Sequence, residues 1–289
     1  MSHSHFTTLI SASNLAERLA AAPDSVYLAD CRFDLADTAA GERAFAAGHL
    51  PGARYFHLDT DLSGPKSGKN GRHPLPDRHA LARHFGDRGM TNDVQIVAYD
   101  AHGGMYAARL WWLLRWLGHD SAAVLDGGLD AWTRAGLALS TDVPAETARA
   151  FSHRAPLAVT IDVTGIERNL STHEHLVVDA RAADRYRGEN ETIDRVGGHI
   201  PGARNRPFKD NLQSDGRFKP AHTLRDEFHD VLGTGSPERA VMQCGSGVTA
   251  CHNLLAMEVA GLHGAALYGG SWSEWSAETT RPVATGPNP

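Results

Sequence analysis

An internal repeat constrains this chain more than any other feature. The apolar run Val26-Tyr-Leu-Ala-Asp30-Cys-Arg32 returns as Leu176-Val-Val-Asp179-Ala-Arg181. Each copy leads through a short helical stretch into a turn phrase, Gly48-His-Leu-Pro-Gly52-Ala53 in one half and Gly198-His-Ile-Pro-Gly202-Ala203 in the other. Chance rarely preserves such an order. Further on, Val94–Tyr99 matches Ala240–Gln243, each a short apolar strand entering a glycine-containing loop. Ala123–Leu125 before Gly127-Gly128 matches Ala265–Tyr268 before Gly269-Gly270, and Trp132 and Trp275 follow at nearly equal distances.

Both glycine-containing loops open onto helical patterns. Ala107, Leu110, Leu113 and Leu114 form one apolar stripe, and Ala250, Leu254, Leu255 and Val259 form the other. Short apolar strands alternating with helices specify α/β domains with mainly parallel sheets, because crossover helices must cover both faces. A chain of 289 residues with 42% hydrophobic content can fill two such cores. Between the halves, Ser140–Pro156 is rich in Thr, Ala, Pro and charge and keeps no apolar period. The predicted division is a domain over 6–142, a linker over 143–155 and a second domain over 156–282.

Composition narrows the function classes. With 28 Lys+Arg against 34 Asp+Glu, the net charge of −6 provides no basic field for nucleic acid. No apolar run reaches membrane-spanning length, and Met1-Ser-His-Ser-His-Phe6 lacks the order of a secretion signal, so a cytoplasmic protein without a membrane partner is expected. Cys31, Cys244 and Cys251 form no Cys-x-x-Cys pair and are expected as free thiols. The 17 histidines contain no His-Glu-x-x-His or Cys/His cluster with ligand spacing, so neither metal nor cofactor is expected.

The two halves differ where it matters chemically. At the strand-to-helix loop the first reads Asp100-Ala-His-Gly103-Gly-Met-Tyr106 and the second Cys244-Gly-Ser-Gly247-Val-Thr-Ala250. In open α/β sheets, ligands meet the protein where strands feed helix N-termini, and a glycine-curled loop there turns successive amides inward. A thiolate or persulfide at Cys244 gains from both, which makes Cys244 the expected nucleophile. Cys251 and Cys31 read as core residues. A phosphate-transfer plan needs a guanidinium six residues after the cysteine, where this chain has Ala250.

On the Cys244–Ala250 string, the paired Gly-His-x-Pro-Gly-Ala phrases and Gly270-Ser-Trp-Ser-Glu-Trp275, the chain resembles the tandem-domain rhodanese superfamily, and within it the 3-mercaptopyruvate sulfurtransferase branch more than the thiosulfate sulfurtransferase branch. The resemblance runs from about Thr7 to Pro282. It implies two rhodanese-like domains, the first catalytically silent and helping to wall a cleft. It further implies a Cys244 persulfide that takes sulfur from a small donor and passes it to cyanide, a thiol or a thioredoxin-like protein.

Thiosulfate-preferring relatives place Arg and Lys at the second and third loop positions, where this chain has Gly245 and Ser246. The resemblance therefore implies mercaptopyruvate as donor, pyruvate as product, and a catalytic serine, histidine and aspartate at Ser246, His73 and Asp61, with Asp59 as the alternative carboxylate. Gly245, Gly247, Val248 and Thr249 complete the substrate-binding loop, and the family's substrate arginine falls on Arg185. A second arginine falls near Asp194-Arg195 and is assigned to Arg195 at an offset of one. Arg187 reads as solvated. The competing readings are a thiosulfate:cyanide sulfurtransferase releasing sulfite and a low-turnover persulfide carrier.

Overall fold

The computed structural model describes residues 5–289. Met1–Ser4, on which part of the expectation about secretion rests, lie outside the described residues. The chain forms two compact units. Among the described residues the first comprises 5–62, Pro76–Leu157 and Ser214–Phe218; the second comprises Ser63–Leu75, Ala158–Gln213 and Lys219–Pro289. Each is an α/β domain with a five-stranded, all-parallel sheet.

In the first unit the elements run β1 (Leu9–Ile10), α1 (Ala12–Ala21), β2 (Val26–Asp30), α2 (Ala40–Ala47), β3 (Arg54–Tyr55), α3 (Arg78–Asp87), β4 (Gln95–Tyr99), α4 (Ala107–Trp116), β5 (Ala122–Leu125) and α5 (Gly128–Arg134). The second repeats them as β6 (Val159–Ile161), α6 (Val163–Thr172), β7 (Leu176–Asp179), α7 (Ala183–Arg187), β8 (Arg204–Asn205), α8 (Ala221–Leu232), β9 (Ala240–Gln243), α9 (Thr249–Val259), β10 (Ala266–Tyr268) and α10 (Ser271–Trp275). The sheet orders, β1-β5-β4-β2-β3 and β6-β10-β9-β7-β8, correspond strand for strand. The strands central to both sheets are those with apolar runs in the sequence. The edge strands β1, β3, β6 and β8, of two or three residues, carry no such signal.

The repeated phrases have a common structural task. At the end of β2, Arg32 pairs with Asp30 at 2.6 Å and donates to the Gly48 carbonyl; at the end of β7, Arg181 pairs with Asp179 at 2.7 Å and donates to the Gly198 carbonyl. These pairs are buried, and the extra carbonyl contact satisfies a guanidinium that burial would otherwise penalise. His49 stacks on Phe45 and bonds the carbonyls of Phe45 and Asp142, while His199 stacks on Tyr186 and bonds those of Tyr186 and Asn288. Each histidine thus fastens the stretch that follows the last helix of its own unit.

The 143–155 stretch is irregular and belongs to the first unit. Arg149 N donates to Gly86 O, Arg154 N to Leu117 O, and the Phe151 ring is buried beside Phe85 and His119. A second departure from simple division at the linker is Ser63–Leu75, which comes from the first half of the sequence and packs with the second unit.

Candidate active site

β9 delivers Cys244 to the carboxyl end of the second sheet, and α9 starts five residues later. The outward carbonyls of the loop are held by the first turn of α10: Trp272 N donates to Cys244 O at 2.9 Å and Ser273 N to Gly245 O at 2.9 Å. Cys244 N donates to Ser271 Oγ. Gly247 takes φ +75°, and a Cβ there would stand 2.3 Å from Gly269 O, so this position requires glycine twice over. The amides of Ser246, Val248 and Ala250 donate to no protein atom among the described residues.

The matching loop of the first unit shows what such amides do with negative charge. Asp100 Oδ1 accepts from the amides of His102 and Gly104 at 2.8 and 2.9 Å, and Oδ2 from those of Tyr106 and Ala107 at 2.8 and 2.9 Å. Here the cradle is filled by its own side chain. At Cys244 the shorter side chain makes no such bonds: of the four corresponding amides that of Cys251 donates to Val248 O, and those of Ser246, Val248 and Ala250 are placed where they can donate to an anion.

Ser246 Oγ lies 2.7 Å from His73 Nδ1, both groups buried. Either the hydroxyl donates to a neutral ring nitrogen or an Nδ1–H donates to the hydroxyl. His73 is positioned by the Ser63–Leu75 segment. Gly71, at φ +85°, passes so close to Gly270 that a Cβ would stand 2.7 Å from its carbonyl oxygen, and Arg72 N donates to Ser273 Oγ.

Asp61 lies in the first unit, where its carboxylate accepts from His57 N at 2.6 Å, His84 Nε2 at 2.8 Å and Arg88 Nη1 at 3.0 Å. Burial alone would raise its pKa, but the His84 hydrogen bond and the Arg88 charge hold it below the usual carboxylate value. Asp59 donates its amide to His57 Nδ1.

Arg185, in α7, lies above the loop: its Nη2 and Nη1 are 3.8 and 3.9 Å from where a Cβ on Gly245 would sit. Its Nε and Nη2 are held by Glu191, and Nη2 reaches Asp194 Oδ2 at 3.1 Å. Arg195 is exposed and makes no hydrogen bond or ion pair among the described residues, whereas Arg72 Nη2 reaches within 2.9 Å of the same point above Gly245. Arg72 is the cation that sequence reasoning missed; its only signal was adjacency to His73. Arg187 pairs with Glu189 at the surface.

The other cysteines occupy different settings. Burial, reinforced by the charges of Asp30, Asp100 and Asp61, pushes the Cys31 thiol well above its ordinary pKa. Cys251 is fully buried on α9, its Sγ 3.2 Å from Gly247 O. No group of three or more His, Cys, Asp or Glu among the described residues is arranged to hold a metal ion.

Paired parallel α/β domains, one with a thiol at its strand-to-helix loop and the other with a carboxylate there, define a tandem protein with one thiol in that position. A family model described as the rhodanese-like domain matches residues 11–135 and again 162–278. The chain belongs to the rhodanese family, as two rhodanese-like domains in tandem. It is 46% identical over 280 residues to the probable 3-mercaptopyruvate sulfurtransferase of Pseudomonas aeruginosa, covering 96% of this chain and 98% of that protein. It is 32% identical over 279 residues to the thiosulfate sulfurtransferase of Mus musculus, covering 93% and 92% respectively. Among solved structures, the 3-mercaptopyruvate sulfurtransferase from Leishmania major matches with a TM-score of 0.82 at 31% identity, over 93% of this chain and 74% of that one.

Proposed function

We propose that the protein is a rhodanese-type sulfurtransferase that takes sulfur from 3-mercaptopyruvate through a persulfide on Cys244. The observation that carries this reading is the 2.7 Å contact between Ser246 Oγ, on the cysteine loop, and His73 Nδ1. Thiosulfate is already dianionic and needs no proton moved when its S–S bond breaks. Mercaptopyruvate carries a thiol proton and leaves an enolate, so a buried hydroxyl–imidazole pair beside the thiol has work only with this donor.

In the first half-reaction the Cys244 thiolate attacks the donor sulfur. The new S–S bond forms as the C–S bond breaks, and its electron pair passes to the carbon fragment as the pyruvate enolate. The donor thiol's proton passes by way of the Ser246–His73 pair to the enolate carbon, so that pyruvate leaves and the outer sulfur stays on Cys244 as the persulfide anion. The loop amides stabilise the persulfide's outer sulfur as they stabilise the Asp100 carboxylate in the other unit. In the second half-reaction an acceptor thiolate or cyanide attacks that sulfur and Cys244 departs as thiolate. Gly245, Gly247, Val248 and Thr249 shape the loop, and Arg185 holds the donor carboxylate. Asp61 as the third member of the relay is the reading the resemblance supplies; its carboxylate is already held by three donors. For Arg195 the exposed position supports solvation more than donor binding.

Pyruvate release from mercaptopyruvate, measured beside sulfite release from thiosulfate with one common acceptor, tests the proposal. The expected preference for mercaptopyruvate is at least about tenfold in kcat/KM, some 1.4 kcal/mol. A preference for thiosulfate overturns the donor assignment and leaves thiosulfate:cyanide transfer as the function.

A further inference from the structure

Six charged side chains form one continuous chain of ion pairs beside the loop. Asp179 pairs with Arg181, Arg181 with Glu191, Glu191 with Arg185, Arg185 with Asp194, and Asp194 with Arg72. Asp194 and Glu191 are almost fully buried, each with 4% of its side chain exposed, and Arg72 and Arg185 are more open at 29% and 18%. The carboxylates therefore lie behind the guanidiniums.

In front, Arg72 Nη2 and Arg185 Nη1 have no hydrogen-bond acceptor among the described residues, and both lie within 4 Å of one point above Gly245. Arg72 Nε is also buried without a partner. The result is a pair of guanidinium faces directed at the loop, backed by enough negative charge that three cations meet three anions.

We propose that Asp194 is a specificity-determining positioning residue: by pinning Arg72 and Arg185 and cancelling one of their charges, it fits the donor subsite to a monoanion and disfavours a dianion. An anchor with balanced charge offers directed N–H groups to a single carboxylate but gains little from a second negative charge close to the transferred sulfur. This role of Asp194 rests on the proposed function, in which an anionic sulfur donor binds at this loop.

The test compares kcat/KM for thiosulfate and for 3-mercaptopyruvate in wild type, Asp194→Asn and Arg72→Gln, with thermal unfolding of each as the check on folding. Asp194→Asn adds one net positive charge, so the thiosulfate-to-mercaptopyruvate ratio should rise by about tenfold, mainly through the thiosulfate KM, and the rise should shrink at high salt. Arg72→Gln removes a positive charge and should move the ratio in the opposite direction. A ratio unchanged in both folded variants, or moving the same way in both, overturns the proposal, as does an equal loss with both donors in Asp194→Asn. A wild-type preference for thiosulfate contradicts the donor assignment instead and leaves the role of Asp194 to be read from how the ratio changes between variants.

Discussion

Two loops of the same plan treat negative charge differently, and one side chain in each makes the difference. Asp100 satisfies four amides by itself, whereas the Cys244 side chain satisfies none of the amides of Ser246, Val248 and Ala250. Ser246→Ala, which removes only the hydroxyl facing His73, should lower kcat/KM for mercaptopyruvate about tenfold to a hundredfold and leave thiosulfate turnover within about threefold. Steady-state rates with both donors check this, and equal losses would make Ser246 a loop-stabilising residue. Asp61 gives a separate expectation. Its folded-state pKa is lowered, so its contribution to stability is present above the unfolded carboxylate value of about 3.9 and fades as pH falls through the folded value. Asp61→Asn should therefore destabilise the protein at pH 7, and the difference from wild type should shrink below about pH 4. Urea unfolding across that range reads the effect. The placement of Cys244 at a strand end, and of Cys31 and Cys251 in buried surroundings, was legible in sequence because loop position separates them. Arg72 was not, since nothing local to Gly71-Arg-His73 shows that its guanidinium meets Asp194, 122 positions away.

At the scale of elements, the strongest strands and the loop helices α4 and α9 could be read from apolar runs and periodicity. The edge strands could not, because two-residue strands such as β3 and β8 are defined by the neighbour they pair with. The Ser63–Leu75 segment is irregular, so its sequence could suggest a polar face for His73 but not which sheet it would join. Its placement rests on Gly71, where left-handed backbone and the Gly270 carbonyl both exclude a side chain. Gly71→Ala should cost about 1–3 kcal/mol in chemical denaturation and reduce mercaptopyruvate turnover more than stability alone explains, since the segment carries both Arg72 and His73. Unaltered turnover in this variant would mean that the segment's position does not matter to the chemistry.

Over the whole molecule, the internal repeat announced two domains, and the corresponding sheet orders bear out the fold class it implied. What the repeat could not convey is that the second unit borrows thirteen residues, 63–75, from the first half of the sequence. Nor could it show that the connecting chain is tied to the first unit through Phe151 and two backbone hydrogen bonds, from Arg149 and Arg154. A fragment running from Ala158 to Pro289 keeps its own five-stranded sheet but lacks His73 and Arg72. It should fold, as judged by a cooperative thermal transition, yet turn over mercaptopyruvate at least about a hundredfold less efficiently than the full chain. The most direct measurement of the central claim is a single turnover without acceptor. Intact mass and released pyruvate are read together after mercaptopyruvate is added to wild type, Cys244→Ser, Cys31→Ser and Cys251→Ser. Wild type and the last two variants should gain one sulfur for each pyruvate released, and Cys244→Ser should gain none; a full persulfide signal in Cys244→Ser would contradict the account.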